Sequence, residues 1–167
     1  MATATTAAQE TITYQQYKDK RQEEFNKLPI FFAFGNDQFR KACEQRGFEP
    51  EDAADHLYAF GAGGYYLKKD AEIVHAWIAQ ADPLDNLMRN PAFAEDAFYY
   101  EMGNHEYHIN TYQGNYDVLS CFGHIEYDDC DDYNVYFDQL NFSPEIREAY
   151  KKARRRFLKA AAENDWY

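Results

Sequence analysis

The segment SPEIREAYKKARRRFLKAAAEN, residues 143–164, carries the strongest fold signal in the chain. Ser143 is a residue type favoured at a helix N-cap, and Pro144 suits the first helical position. Apolar side chains then recur every three or four residues, at Ile146, Ala149, Tyr150, Ala153, Phe157 and Ala160. This spacing predicts a long amphipathic helix that buries one face.

The same signals recur upstream in NPAFAEDAFYYEMG, residues 90–103, where an Asn-Pro start and a Gly103 end predict a second helix. Shorter helices are predicted over residues 13–27 and after Asn36, Pro50, Asp70 and Asn115. Brief apolar or alternating runs predict strands at IFFAF (30–34), YYLKK (65–69) and NHEYHINTY (104–112). We therefore predict a helix-dominated α+β fold with a small sheet.

A chain of 167 residues is long enough for one domain with its own core. We expect a disordered N-terminus over residues 1–10 and a single globular α+β domain over 11–167. The 13 Phe and 15 Tyr predict an aromatic core. Its expected members are Phe32, Phe34, Phe39, Tyr66, Trp77 and Phe157.

The three cysteines, Cys43, Cys121 and Cys130, form no CxxC pair. We expect reduced thiols and a cytoplasmic location. The N-terminal residues lack the basic and apolar regions of a secretory signal. No apolar run reaches the roughly 20 residues of a membrane span, so no membrane association is expected.

Charge is distributed unevenly. Residues 90–146 contain no Lys or Arg but hold twelve carboxylates: Glu95, Asp96, Glu101, Glu106, Asp117, Glu126, Asp128, Asp129, Asp131, Asp132, Asp138 and Glu145. The charge of this segment equals the net charge of the whole chain, −12, because the acidic and basic residues in the rest of the chain are equal in number. Seven cations follow within the predicted last helix: Arg147, Lys151, Lys152, Arg154, Arg155, Arg156 and Lys159.

Two interpretations of this acidic segment stay open. The basic helix could lie beside it and balance its charge within the molecule. Alternatively, an acidic surface made of Glu126, Asp128, Asp129, Asp131, Asp132 and Asp138 binds another protein with a basic surface. Direct binding of nucleic acid is not expected, since phosphate contacts need clustered Lys and Arg.

The glycine-rich stretch GAGG, residues 61–64, precedes a predicted strand and is followed by Lys68 and Lys69. Neither the GxxxxGK[ST] nor the GxGxxG pattern of a phosphate-binding loop is present. The glycines predict a tight turn instead.

The stretch NHEYH, residues 104–108, could supply a metal site through His105, Glu106 and His108. A zincin helix needs histidines four residues apart, whereas these are three apart. On a strand they would point to opposite faces, so a site would also need remote residues such as His124 or Asp128. DDCDD, residues 128–132, lacks the order of a calcium-binding loop. We expect no metal, no cofactor and no catalytic residues.

The blocks FAFGNDQF, GAGGYYLKKD and MGNHEY resemble a family of small uncharacterised proteins of bacteriophages and bacterial mobile elements. The resemblance covers residues 28–123. It implies a genomic neighbourhood rather than a reaction. Members of that family often carry cysteine shortly after Asn-His-Glu-Tyr, which argues against His108 as a required ligand.

We therefore expect a non-enzymatic, acidic interaction protein. The phage-like resemblance and the acidity together suggest an inhibitor of a host nucleic-acid-handling or defence system, in which carboxylates occupy the positions of phosphates. The alternative is a small metal-dependent hydrolase that uses His105, Glu106 and His108.

Overall fold

The computed structural model describes residues 12–128 and 132–166. Its contacts divide the chain into two compact units. The first comprises Met1–Lys20 with Asp82–Tyr167, and the second comprises Arg21–Ala81. The helix-dominated α+β class is confirmed, because the described residues are mostly helical and include a small three-stranded antiparallel sheet. That residues 11–167 fold as one domain stays a prediction.

The first unit is helical. Its elements are the start of α1 (Tyr14–Asn26), α5 (Leu84–Leu87), α6 (Pro91–Asn104), α7 (Thr111–Ser120), α8 (Asn134–Leu140) and α9 (Pro144–Glu163). Helix α6 begins as predicted: the side chain of Asn90 accepts hydrogen bonds from the amides of Ala92 and Phe93, and Pro91 follows. Pro144 occupies the first turn of α9, although Ser143 makes no side-chain cap.

The core of the first unit is built from aromatic rings between α6 and α9. Phe98 of α6 meets Tyr150 of α9 edge to face, with ring centroids 5.2 Å apart. Phe137 of α8 makes a similar contact with Tyr150 at 5.2 Å. The buried face of α9 matches the predicted spacing, except that Ala161 rather than Ala160 is fully buried. The apolar spacing of the sequence therefore predicts the buried face of α9 correctly, apart from this one position.

A buried polar network crosses this aromatic core. Asn115 Oδ1 accepts hydrogen bonds from the hydroxyls of Tyr107 at 2.6 Å and Tyr150 at 2.7 Å. Arg154 Nε donates to the Tyr107 hydroxyl at 2.8 Å. The network ties α9 to α7 and to the turn that precedes α7. Asn115 thus lies inside α7 as a shared acceptor, whereas the sequence pattern predicts it at the start of that helix.

Gly114 of α7 packs directly against the ring of Tyr107. A Cβ there would lie 2.7 Å from Tyr107 Cδ2, and the network holds that ring in place. So close an approach to a fixed ring puts the overpacking cost at about 2–3 kcal/mol, above the roughly 1 kcal/mol gain in helix propensity. We expect Gly114→Ala to lower the free energy of unfolding by about 1–2 kcal/mol, measured by urea denaturation.

Gly123→Ala is the matched control for that substitution. Its Cβ would meet the end of the Leu140 side chain at 2.6 Å, and a leucine tip can move. We expect a change below about 1 kcal/mol. A Gly114→Ala protein as stable as the parent would show that Tyr107 is not held rigidly.

The second unit contains a three-stranded antiparallel sheet in the order β1-β3-β2. Its elements after the end of α1 are β1 (Ile30–Phe32), α2 (Asn36–Glu44), a 3₁₀ turn (Pro50–Asp52), α3 (Ala53–His56), β2 (Leu57–Gly61), β3 (Gly64–Leu67), a 3₁₀ turn (Lys68–Asp70) and α4 (Ala71–Ile78). Gly61 and Gly63, with φ of 100° and 75°, form the turn between β2 and β3. The predicted tight turn is therefore confirmed.

The predicted strand over residues 104–112 is wrong. The stretch 104–112 is not a strand: α6 continues to Asn104, a turn follows, and α7 begins at Thr111. Gly103 thus lies inside α6 and does not end the helix.

The predicted aromatic core is only partly right. Tyr66 and Phe157 are buried, but Phe32 is 43% and Phe34 is 75% exposed. The short β1 ends at Phe32, so Phe34 lies beyond the sheet. Phe39 and Trp77 are partly buried. No helix in the described part of the chain is both long and apolar enough to cross a membrane.

Candidate functional site

The most unusual polar group of the first unit is Glu101 of α6, a carboxylate only 2% exposed. Its Oε1 accepts hydrogen bonds from the Tyr14 hydroxyl at 2.7 Å and Lys18 Nζ at 3.1 Å. Its Oε2 accepts one from Asn104 Nδ2 at 2.9 Å. A buried charge needs such partners, since an unpaired one costs several kcal/mol. Glu101 thus helps to hold the start of helix α1 to α6, as does Asp96, which accepts a hydrogen bond from the Tyr14 amide at 2.8 Å.

His105 and Cys121 complete the cluster. His105 follows Glu101 by four residues, one helical turn, and therefore lies on the same side of α6. Cys121 stands at the C-terminal end of α7. Its Sγ lies 3.3 Å from His105 Nε2, and the same nitrogen lies 3.7 Å from Glu101 Oε2. Two helix ends therefore bring a carboxylate, an imidazole and a thiol together.

The surroundings shift two pKa values in the cluster. Burial by itself raises the pKa of Glu101, but hydrogen bonds from Tyr14, Asn104 and Lys18 outweigh it and hold that pKa below its ordinary value. Burial and the Glu101 charge raise the pKa of Cys121 to about 11. At neutral pH the carboxyl group is ionised and the thiol is protonated.

This arrangement does not suit a cysteine nucleophile. In such sites one imidazole nitrogen faces the nucleophile and the other is held by a third group. Here the thiol and the carboxylate both lie near Nε2 of His105. A reactive cysteine also needs a lowered pKa, whereas that of Cys121 is raised. The arrangement does suit a metal site. A carboxylate oxygen, an imidazole nitrogen and a thiol sulfur are metal-ligand atoms, and these three lie within 4.8 Å of one another.

The structure separates the residues of the NHEYH motif. His105 faces Glu101 and Cys121, while the His108 ring lies 6.2 Å from the Phe157 ring and 5.9 Å from that of Trp166. Glu106 adopts a left-handed conformation, with φ of 48°, which turns the chain after α6. Glu106 and His108 line an open cleft of about 490 Å³. Within residues 12–128 and 132–166, no group of three metal-ligand side chains includes either of them.

The acidic positions lie in different settings. Glu126, Asp128, Asp132 and Asp138 are exposed, and Asp129 and Asp131 lie outside the described residues. Asp132 Oδ1 accepts a hydrogen bond from the Asn134 amide at the start of α8. The backbone of Asp128 bonds to the Tyr136 hydroxyl at 2.8 Å. The loop before α8 therefore has defined anchors at its described ends.

Part of the negative charge is balanced by α9. Arg147 pairs with Asp138 at 2.9 Å and Arg156 pairs with Glu95 at 2.8 Å. Other cations of α9 pair with acids of the same helix: Lys151 with Glu148, and Lys159 with Glu163. The intramolecular interpretation of the charge pattern thus holds for Glu95 and Asp138. Both ion pairs are partly exposed, and such pairs contribute at most about 1 kcal/mol each.

Comparison with known proteins covers most of the chain. Residues 13–156 match a family described as being of unknown function, DUF7659. The chain belongs to this family. The matched residues of this DUF7659 protein include the Glu101–His105–Cys121 cluster, the acidic positions 126–138 and the first part of α9. No curated protein and no solved structure matches it.

Sequence reasoning misses Glu101 and Cys121 as partners of His105. The Glu101-to-His105 spacing of four is visible, but it has meaning only on a helix, and Gly103 predicts that the helix ends before His105. Cys121 lies sixteen residues from His105 and comes close only because α7 returns past the end of α6. No residue spacing in the sequence predicts that Cys121 lies close to His105.

Proposed function

We propose that this protein is a non-enzymatic interaction protein whose acidic surface binds a basic surface of another protein. The observation that carries the proposal is the segment 90–146, which has twelve carboxylates and no Lys or Arg. Several of these carboxylates serve the fold itself: Glu95, Asp96, Glu101, Asp117 and Asp138 make contacts within the molecule. Most of the other acidic positions lie in residues 126–132, where Asp132 also accepts a hydrogen bond from Asn134.

The described part of that stretch is accessible. Glu126, Asp128 and Asp132 are exposed, and the backbone of Glu126 and Asp128 is held by Gln139 and Tyr136. A cluster of one sign of charge steers a complementary partner toward the surface and favours it over others. This supports a partner with clustered Lys and Arg side chains.

A finer proposal concerns the identity of that partner. A surface that presents carboxylates in place of phosphates suits a protein whose basic groove ordinarily binds nucleic acid. We propose an inhibitor of a nucleic-acid-handling or defence protein, in line with the resemblance to proteins of phages and mobile elements. The hydrolase alternative is less supported, because Glu106 and His108 line a cleft without His105.

The test compares the full-length protein with two charge-matched variants in capture from lysate of the native host. The first replaces Asp128, Asp129, Asp131 and Asp132 with Asn. The control replaces four exposed acids of the second unit: Glu49→Gln, Glu51→Gln, Asp52→Asn and Asp55→Asn. We expect the first variant to retain less than about one tenth of the captured partner, while the control retains the parent level.

Salt and nucleic acid extend the test. The Debye length shrinks from about 10 Å at 0.1 M salt to about 3 Å at 1 M, so salt should release the partner. Duplex DNA should displace a partner held through its nucleic-acid groove. Equal capture by the parent and the four-Asn variant would refute the proposed surface. Release by salt but not by DNA would retain the surface and reject the finer proposal.

A further inference from the structure

The Glu101–His105–Cys121 cluster has dimensions close to those of a zinc site. With Zn–S near 2.3 Å and Zn–N and Zn–O near 2.0–2.2 Å, tetrahedral ligand atoms lie about 3.4–3.6 Å apart. Cys121 Sγ lies 3.3 Å from His105 Nε2, and that nitrogen lies 3.7 Å from Glu101 Oε2. All three ligand atoms lie within 4.8 Å of one another. Small side-chain adjustments would place them around one ion.

The hydrogen bonds of Glu101 leave room for a ligand bond. A carboxylate has about four acceptor positions. Tyr14 and Lys18 use two on Oε1, and Asn104 uses one on Oε2. The oxygen that faces His105 thus keeps one acceptor position. The outer hydrogen bonds also fix the orientation of the carboxylate, as the partners of metal ligands do in known sites.

The cluster is open on one side. Glu101 is buried, while the side chain of His105 is 33% exposed and Cys121 is partly buried. An ion could enter past His105, and a water molecule could take a fourth position. Three protein ligands with one open position distinguish reactive zinc sites from closed structural ones.

We propose that Glu101, His105 and Cys121 form a binding site for a divalent first-row transition-metal ion, with Zn²⁺ the best match. The mixture of thiolate, imidazole and carboxylate donors suits zinc and cobalt rather than magnesium or calcium. On binding, the Cys121 S–H bond breaks, its proton passes to solvent, and the sulfur donates to the metal. No electron transfer is involved. The neighbours Tyr14, Lys18 and Asn104 already hold the site together, so folding does not depend on the ion.

The experiment titrates the purified, chelator-treated full-length protein with Co²⁺ alone and records the absorption spectrum. We expect one equivalent to bind with a thiolate-to-cobalt charge-transfer band and visible bands of tetrahedral cobalt, both removed by added Zn²⁺. Cys121→Ser should abolish the charge-transfer band. His105→Ala should weaken binding at least about tenfold, because even changes to outer-sphere partners cost 10–100-fold.

Matched controls separate this site from other thiols and imidazoles. Cys43→Ser, Cys130→Ser and His108→Ala should keep the parent spectrum and affinity. Circular dichroism checks that each variant is folded. If Cys121→Ser does not fold, Glu101→Gln and His105→Ala carry the test, since both leave the thiol in place. A parent protein that shows no thiolate band with Co²⁺, or a band that persists in a folded Cys121→Ser protein, would overturn the proposal.

Discussion

Replacing Phe98 with Ala should lower the free energy of unfolding by about 3–5 kcal/mol. Phe98 is fully buried and meets Phe122, Phe142 and Tyr150 with ring centroids 5.1, 6.0 and 5.2 Å away. Truncation removes these contacts and leaves a cavity between α6 and α9. For a chain of this size each kcal/mol shifts the melting temperature by about 2–4 °C. Thermal and urea unfolding would measure the effect.

Phe34→Ala is the matched control for this substitution. Phe34 is 75% exposed, so its loss should change the free energy of unfolding by less than about 0.5 kcal/mol. The pair tests the correction to the predicted core, which includes Phe34. Comparable losses in the two variants would mean that the aromatic core of the first unit is not where stability resides.

Glu101→Gln should have the second-largest effect, a loss of about 2–4 kcal/mol. The amide keeps the shape of the side chain but removes the charge that Tyr14 and Asn104 bond to, and its NH₂ group faces one of these donors. Lys18 is 39% exposed and can turn to water, so its share of the loss is small. Unfolding in the presence of a chelator measures the change without a contribution from bound metal.

The pH dependence of this loss checks its electrostatic origin. The pKa of Glu101 in the folded protein lies below its ordinary value of 4.5. Its contribution to stability is therefore complete above that value and is lost as pH falls through the lower, folded pKa. The difference between parent and Glu101→Gln should shrink as the pH falls from about 6 to about 3. Glu106→Gln, an exposed control five residues along, should change stability by less than about 0.5 kcal/mol at every pH. A constant difference would contradict the electrostatic account.

Elements with local signals were predictable from the sequence. The Asn90-Pro91 start of α6 and the apolar spacing of α9 are rules of chemistry within one helix, and both appear in the structure. The glycines at 61 and 63 predicted a turn, and in the structure both have positive φ values, which glycine adopts most easily. In each case the deciding interactions lie within a few residues along the chain.

The parts that failed depend on distant residues. Phe34 and Phe157 look alike in the sequence, and only the end of β1 and the approach of α6 to α9 decide which is buried. NHEYH alternates like a strand, but the helix ahead of it runs on to Asn104. The proximity of Glu101, His105 and Cys121 could not be predicted, because Cys121 meets His105 only through the return of α7. The acidic segment was visible as composition, while its partition into internal pairs and exposed positions required the structure.

The network around Asn115 has a fixed direction. The Arg154 guanidinium can only donate, so the Tyr107 hydroxyl accepts from it and donates its own hydrogen bond to Asn115 Oδ1, which also accepts from Tyr150. None of these groups changes its charge where carboxylates titrate. The bonds that hold α1 through Glu101, in contrast, weaken when that carboxylate gains a proton. Acid therefore weakens the bonds from Tyr14 and Lys18 of α1 to Glu101, whereas the bonds of α9 to Asn115 and Tyr107 contain no carboxylate and keep their strength.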